Sequence, residues 1–254
     1  MRAADVWRIC QDVAVDSSSL SGWPPQRYAQ EGNAFVMRSM KLIHQREIST
    51  QQALAAQTWI SEFRRGIVSV REIRILNDLE KQTVPVVSAT QEWVHIGRDY
   101  RIRPAPPSLV AALNIFATEA KIVLPQYHPI TNAAEYHFNF HVWHTWMDAL
   151  GHVNHPTYVD WLDEAFSRVL AQHQIDPVEV VAVAEELHYR ASAVANDQVQ
   201  VTLQLIGATE LGELVIRHRI VNTDTQKLFV DGIIIRRLTT QEATVRFSSL
   251  WNEK

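Results

Sequence analysis

The stretch MDALGHVNHPTYVDWLDEAFSRVL, residues 147–170, decides the fold because a polar turn runs directly into an amphipathic segment. Apolar side chains recur at three- and four-residue steps from Tyr158 to Leu170, while charged side chains occupy the opposite side. Pro156 is typical of a first helical turn, where its missing N–H costs nothing, and Asn154 is a suitable cap before it. The pattern predicts one long helix with a single buried face.

Strand patterns lie on both sides of this helix. Residues 199–205 alternate between apolar and polar side chains, and a period of two is typical of a half-buried strand. The strands predicted in this half of the chain are residues 136–142, 199–205, 214–221 and 228–238.

The first half of the chain shows the same kind of organisation. A helix is predicted at residues 25–42, followed by strands at residues 54–60, 67–76 and 84–96. Aligning Ala34-Phe35 with Ala165-Phe166 superposes the two predicted helices. We therefore predict a tandem repeat of one α+β unit, with the join bracketed by the Pro-rich residues 103–107 and residues 125–134.

The composition is that of an ordinary globular protein, with 254 residues, 46% hydrophobic and 20% charged. A net charge of −4 argues against nucleic acid as a partner. Cys10 is the single cysteine, so no intramolecular disulfide can form. Charged residues near the start argue against a signal peptide, and no apolar run approaches the roughly 18–20 residues that cross a bilayer. We expect a cytoplasmic protein with no membrane partner.

Residues 148–158 resemble the D-x-x-G-H-V-N-N-x-x-Y signature of hot-dog thioesterases, a group that includes the hydroxybenzoyl-CoA thioesterase superfamily and the acyl-ACP thioesterases. Strands of the acyl-ACP group in particular are similar to residues 57–60, 70–72, 89–94 and 101–107. The resemblance implies an α+β tandem (double) hot-dog, with two antiparallel sheets each wrapped around a long central helix. Residues 1–113 would form an N-terminal unit on the acyl-pocket side, and residues 122–254 a C-terminal unit with the catalytic motif.

The activity implied by the resemblance is hydrolysis of an acyl-CoA or acyl-ACP to the free acid and the thiol carrier. Asp148 would act as base or nucleophile, assisted by His152, with Asn154 as a third catalytic residue. The expected substrate-binding residues are Gly151, Val153 and Ser192. The start of the following helix would favour a developing oxyanion, since its first N–H groups lack intrahelical partners. No cofactor or metal is implied; the expected partner is the acyl-CoA or acyl carrier protein, and a homodimer is left open.

Two positions depart from the acyl-ACP pattern: Leu150 stands where that family has Asn, and Ser192 stands where it has Glu. The carrier therefore stays open, and so do simpler roles, with Asp148 as a turn former and Asn154 as a helix cap. Two other functions compete with hydrolysis. One is a hot-dog hydratase or dehydratase, whose D-x-N-P-x-H run is absent here. The other is a protein that binds acyl thioesters without turnover.

Histidines and basic pairs suggest two further kinds of site. Six histidines fall between His128 and His155, but His137 and His141 lie on a predicted strand and no H-E-x-x-H helix is present, so a metal site is disfavoured. Three basic pairs could contact a CoA phosphate or an acidic carrier, or could be solvated strand residues. These pairs are Arg64-Arg65, Arg217/Arg219 and Arg236-Arg237.

Overall fold

The computed structural model describes residues 1–49, 51–77, 84–113, 115–117, 122–130 and 134–249. Contacts divide the chain into two compact units. Met1 and Asp5–Val123 form unit 1, and Arg2–Ala4 and Leu124–Lys254 form unit 2. None of the described helices is long and apolar enough to cross a membrane.

Unit 1 consists of two helices, an antiparallel sheet and a third helix that follows the sheet. The helices are α1 (Ala3–Leu20), α2 (Pro25–Glu31) and, after the sheet, α3 (Pro107–Ala112). The strands are β1 (Asn33–His44), β2 (Leu54–Arg64), β3 (Val68–Asn77) and β4 (Val87–Gly97). These four strands pair in the order β2-β3-β4-β1, and each of the pairs is antiparallel.

The helix that packs on this sheet is α1. Its buried residues recur at three- and four-residue steps and include Val6, Trp7, Cys10 and Ala14. Two side chains of the sheet are hydrogen-bonded to α1: the Gln91 amide donates to the carbonyl oxygen of Cys10 at 3.4 Å, and Arg71 donates to the Ser17 hydroxyl at 3.0 Å. The helical spacing was present in the sequence, but the segment was not predicted as a helix.

The helix predicted at residues 25–42 is wrong over most of its length. The α2 helix ends after Glu31 because Gly32 adopts a left-handed conformation, φ 68° and ψ 36°, and its N–H caps the last turn. The chain then enters β1, which pairs with β4 from Asn33↔Gly97 to His44↔Val87. The apolar spacing of this segment also fits a helix, but antiparallel pairing with β4 makes it a strand. The alignment of Ala34-Phe35 with Ala165-Phe166 is therefore wrong as well.

Unit 2 follows the sequence prediction closely. Its strands are β5 (Tyr127–Pro129), β6 (Glu135–His141), β7 (Val180–Tyr189), β8 (Gln198–Thr209), β9 (Leu214–Asn222) and β10 (Leu228–Leu238). Its helices are α4 (Thr157–Gln172) and α5 (Gln241–Ser249), with short 3₁₀ turns at His144–Trp146 and Pro177–Glu179. The predicted helix and all four predicted strands are confirmed, whereas β5, β7 and α5 were not predicted.

The strand order shows that the two units are repeats. In unit 2 the order is β8-β9-β10-β7, with β5 and β6 both pairing with β8, so β7–β10 take the places that β1–β4 have in unit 1. A long helix precedes each set of four strands: α1 has 18 residues and α4 has 16. The predicted tandem α+β repeat is therefore present, but α1 is the counterpart of α4.

A buried arginine ties α4 to its sheet. Arg236 on β10 is 2% exposed, and it donates to Glu185 of β7 at 2.5 Å and to Asp163 of α4 at 2.9 Å. Burial raises the pKa of the Asp163 carboxyl, and the Arg236 guanidinium opposes that rise. Arg236 is therefore a core residue, neither a contact for a carrier nor a solvated strand residue.

Candidate active site

A polar turn between β6 and α4 presents the carboxylate of Asp148. The Asp148 N–H donates to the carbonyl of His152 at 2.8 Å, and the Gly151 N–H donates to the carbonyl of Asp148 at 3.1 Å. One carboxylate oxygen of Asp148, Oδ1, accepts the N–H of Leu150 at 2.8 Å. Gly151 has φ +75°, a conformation that glycine adopts without steric penalty. The turn thus fixes the carboxylate with one oxygen bound to the backbone.

The other oxygen of that carboxylate faces a histidine. Asp148 Oδ2 lies 3.2 Å from Nδ1 of His152, and the two side chains are 25% and 23% exposed. Nδ1 also lies 3.4 Å from the carbonyl oxygen of Val153. The tautomer protonated at Nδ1 donates toward the carboxylate and leaves Nε2 as a proton acceptor. The structure therefore brings the two predicted catalytic side chains into contact, with the Asp148 carboxylate as an acceptor for a proton on His152 Nδ1.

Backbone bonds anchor the turn to the segment that follows β7. The Val153 N–H donates to the carbonyl of Ala193 at 2.9 Å, and the Asn154 N–H donates to the carbonyl of Trp146 at 3.0 Å. Val153 is buried, whereas Ser192, the neighbour of Ala193, is exposed. Two segments about 40 residues apart in sequence are thereby joined beside the Asp148–His152 pair.

Two tyrosines support this junction from the core, and sequence reasoning did not identify either role. The Tyr189 hydroxyl donates to the carbonyl of His155 at 2.9 Å, and the Tyr158 hydroxyl accepts the N–H of Ala193 at 2.8 Å. Burial raises the pKa of both tyrosine hydroxyls, so both stay protonated. Burial also lowers the pKa of His155 to about 3, with His152 adding a smaller effect, so His155 is neutral.

The cap predicted for the helix is wrong. The residue that precedes α4 is Pro156, with φ −68° and ψ −21°, and no side chain caps the helix there. Asn154 contributes its backbone, since its carbonyl accepts the N–H of Thr157 at 2.9 Å. The side chain of Asn154 therefore does not act as the cap, and a catalytic role for it stays a prediction.

The remaining predicted site residues differ in their access to solvent. Leu150 is 37% exposed, and a Cβ added at Gly151 would meet no heavy atom within 4 Å. Gly151 and Ser192 are exposed, whereas Val153 is 2% exposed. A substrate can reach Gly151 and Ser192 directly, but it can reach Val153 only by displacing what covers it. Substrate contact with any of these residues stays a prediction.

An aromatic wall adjoins the turn. Trp146 packs against Trp161 of α4 at 5.3 Å between ring centroids and against Phe140 of β6 at 5.8 Å. Trp143 stacks on Trp146 at 5.1 Å and is 65% exposed. The segment that leads into the turn therefore carries aromatic surface, part of which faces solvent.

The histidines and basic pairs outside the turn either contact neighbouring polar side chains or are exposed. In the described ranges, no group of three or more His, Cys, Asp or Glu side chains is arranged to hold a metal. His137 contacts the Thr202 hydroxyl at 3.1 Å, and His141 contacts Gln198 on the neighbouring strand. Arg64 is hydrogen-bonded to Glu92, whereas Arg217 and Arg219 are exposed on β9. A contact of these arginines with a carrier stays a prediction.

Comparison with known proteins shows what the chain is similar to. Residues 142–249 match the model of the thioesterase-like superfamily, and no curated protein matches the chain. Among solved structures, a protein described as an oleoyl thioesterase from Lactobacillus plantarum is 18% identical with a TM-score of 0.77, over 94% of this chain and 90% of that one. An acyl-ACP thioesterase from Bacteroides thetaiotaomicron is 13% identical with a TM-score of 0.69, over 93% and 90%.

A third structure, the 12:0-ACP thioesterase from Umbellularia californica, is 14% identical with a TM-score of 0.74, over 94% of this chain and 87% of that one. At such identities the likeness shows the fold alone, and it extends over both units. The predicted fold is confirmed. The chain has the double hot-dog fold, and its residues 142–249 match the model of the thioesterase-like superfamily.

Proposed function

We propose that the protein hydrolyses an acyl thioester, releasing the free acid and the thiol carrier. The observation that carries the proposal is the contact of 3.2 Å between Asp148 Oδ2 and His152 Nδ1, at an accessible turn that runs into α4. Both residues fall within the segment that matches the thioesterase-like superfamily. Acyl-CoA and acyl-ACP are the two proposed substrate classes.

Hydrolysis requires attack on the thioester carbonyl carbon and stabilisation of the oxyanion that develops there. In one route, Nε2 of His152 takes a proton from water as the water oxygen bonds to the carbonyl carbon. Asp148 holds the Nδ1–H and stabilises the imidazolium that results. Collapse of the tetrahedral intermediate breaks the C–S bond, and the imidazolium returns the proton to the departing thiolate.

In a second route, Asp148 itself attacks the carbonyl carbon. An anhydride between Asp148 and the acyl group forms as the thiolate leaves, and water then opens the anhydride to restore the carboxylate. His152 would orient that water and accept its proton, which then passes to the released thiolate. Both routes use the same pair of side chains, so they differ in which atom first bonds to the acyl carbon.

The oxyanion is proposed to lie toward the start of α4, where the helix dipole favours negative charge. The Gly151 N–H is already bonded to the carbonyl of Asp148, so it is not proposed as the oxyanion donor. Gly151 is proposed instead to let the substrate approach, since the space beside its Cα is open. Asn154, Val153 and Ser192 are proposed to contact the acyl or pantetheine portion, and unit 1 is proposed to shape the acyl pocket.

A panel assay of free-thiol release tests the proposal. Acyl-CoAs and acyl-ACPs of graded chain length would be incubated with the wild-type protein and with the Asp148→Asn and His152→Gln variants. Thiol release by the wild type that both variants reduce supports hydrolysis at this pair. Hydration of an enoyl thioester without thiol release would favour a hydratase, and tight binding without turnover would favour a binding protein.

A further inference from the structure

Unit 1 buries a guanidinium that has no carboxylate partner among the described residues. Arg71 lies on β3 and is 6% exposed. Its Nη1 donates to the Ser17 hydroxyl of α1 at 3.0 Å and to the Thr58 hydroxyl of β2 at 3.1 Å. Burial lowers the pKa of Arg71 to about 10, and the nearby Tyr28 opposes that shift. The group remains cationic at neutral pH, with two uncharged hydroxyls as its hydrogen-bond acceptors.

Other arginines with little exposure in the described chain do have carboxylate partners. Arg236 is bonded to two carboxylates, and Arg74 lies 3.3 Å from Glu72. Taking a charge out of water costs several kcal/mol unless an opposite charge or full hydrogen bonding offsets the loss. Glu72, the neighbour of Arg71 on β3, accepts hydrogen bonds from Thr90 and Arg74 instead. Arg71 thus retains an unmatched positive charge inside the protein.

The surroundings of Arg71 combine hydroxyl groups with aromatic surface. Tyr28, whose hydroxyl is 2.8 Å from that of Ser18, is close enough to interact with the Arg71 charge. The Tyr28 ring also packs against Trp23 at 5.3 Å and against Phe35 at 6.0 Å between centroids. On the neighbouring strand, the residue in register with Arg71 is the uncharged Gln91. A cation with hydroxyls therefore adjoins an apolar aromatic row.

We propose that the Arg71 centre, formed by Arg71, Ser17, Thr58 and Tyr28, binds the carboxylate of an acid that carries an apolar chain. The carboxylate would accept hydrogen bonds from Nε and Nη2, for which no acceptor is present among the described residues, and would supply the missing negative charge. The apolar chain would lie along the aromatic row. The carboxylate would come from a free carboxylic acid with an apolar chain.

Binding is tested on the full chain with octanoate, octanedioate and octanol as probes. Both acids should raise the Tm of the wild type by about 5 °C or more at a hundredfold excess over Kd, and octanol should not match them. Arg71→Met should weaken octanoate binding by about 10- to 100-fold, as expected for the loss of a charged hydrogen-bonding partner. Arg71→Gln, which keeps donors for Ser17 and Thr58, serves if the Met variant fails to fold. Arg74→Met is the matched control and should leave the Kd unchanged.

Octanoate binding that is the same in the wild type and in both Arg71 variants would overturn the proposal. Because binding is measured without turnover, a failure of the proposed hydrolysis would be seen separately.

Discussion

Asp148 and His152 form the proposed catalytic dyad. Replacing Asp148 with Asn changes one atom of this dyad and keeps the rest of the turn. The Asn oxygen can still accept the Leu150 N–H, which Asp148 Oδ1 accepts at 2.8 Å. The Asn nitrogen then replaces the oxygen that lies 3.2 Å from His152 Nδ1. Because an amide nitrogen donates, Nδ1 must become the acceptor and the ring proton must move to Nε2. The variant therefore removes the base on His152 and the nucleophile on residue 148 together.

The expected loss in kcat is about two to four orders of magnitude, the usual contribution of a positioned acid–base group. At about 1.36 kcal/mol for each factor of ten, this corresponds to roughly 3–5 kcal/mol of transition-state stabilisation. Stability should change by about 1 kcal/mol or less, because Asn forms the same kind of turn as Asp. His152→Gln should lose a similar factor. The double variant should lose little more than either single one, since the two groups act as a unit.

Thiol release under saturating substrate measures kcat, and chemical denaturation of the same samples measures folding. Activity of the Asp148→Asn variant near that of the wild type would remove the carboxylate from the mechanism. Additive losses in the double variant would show that the two side chains do not cooperate. A single turnover in oxygen-labelled water with excess enzyme separates the routes further, because label found in Asp148 requires the anhydride. Label in the product acid alone fits either route.

Three further changes test the turn at Gly151 and two buried polar residues of unit 2. Gly151→Ala should cost about 1 kcal/mol of stability and lower kcat/KM, because φ +75° strains any side chain although the space is open; unchanged denaturation and kinetics would contradict this. Burial lowers the pKa of His218 to about 3, below the roughly 6.5 of an unfolded chain, so its contribution to stability is lost as pH falls from 6.5 toward 3. His218→Gln should reduce that pH slope by about 1.4 kcal/mol per unit in denaturation at pH 7 to 4.5, and an unaltered slope would refute a neutral His218. Arg236→Met should cost about 3–5 kcal/mol, since it removes the guanidinium from the buried Glu185; a loss under about 1 kcal/mol would contradict this.

The candidate site could be predicted because its central residues are close in sequence. Asp148 and His152 are four positions apart, and a turn containing Gly151 folds them together without help from distant segments. The residues that support the turn could not be predicted in the same way. Tyr189 and Ala193 meet it only after β7 has taken its place in the sheet, and a strand register is not visible in local spacing.

The fold of unit 1 was harder to predict, and the reason lies in one short segment. Apolar residues between Phe35 and Leu42 fit both a helix and a strand, and pairing with β4 decides in favour of the strand. Gly32 was the available signal, since glycine in a left-handed conformation commonly ends a helix. The unpaired charge of Arg71 was likewise hidden, because an arginine in a strand gives no indication of whether a carboxylate faces it.

The two departures from the acyl-ACP pattern, Leu150 and Ser192, are compatible with a working dyad for one structural reason. Residue 150 holds the Asp148 carboxylate through its backbone N–H, so the change of its side chain to leucine leaves that bond in place. Beside Ser192, the contacts that anchor the turn are made by the backbone of Ala193, which accepts from Val153 and donates to the Tyr158 hydroxyl. Supports made by the backbone survive side-chain replacement. What these replacements alter is the polarity of the exposed surface beside the dyad, where the acyl group and its carrier would bind.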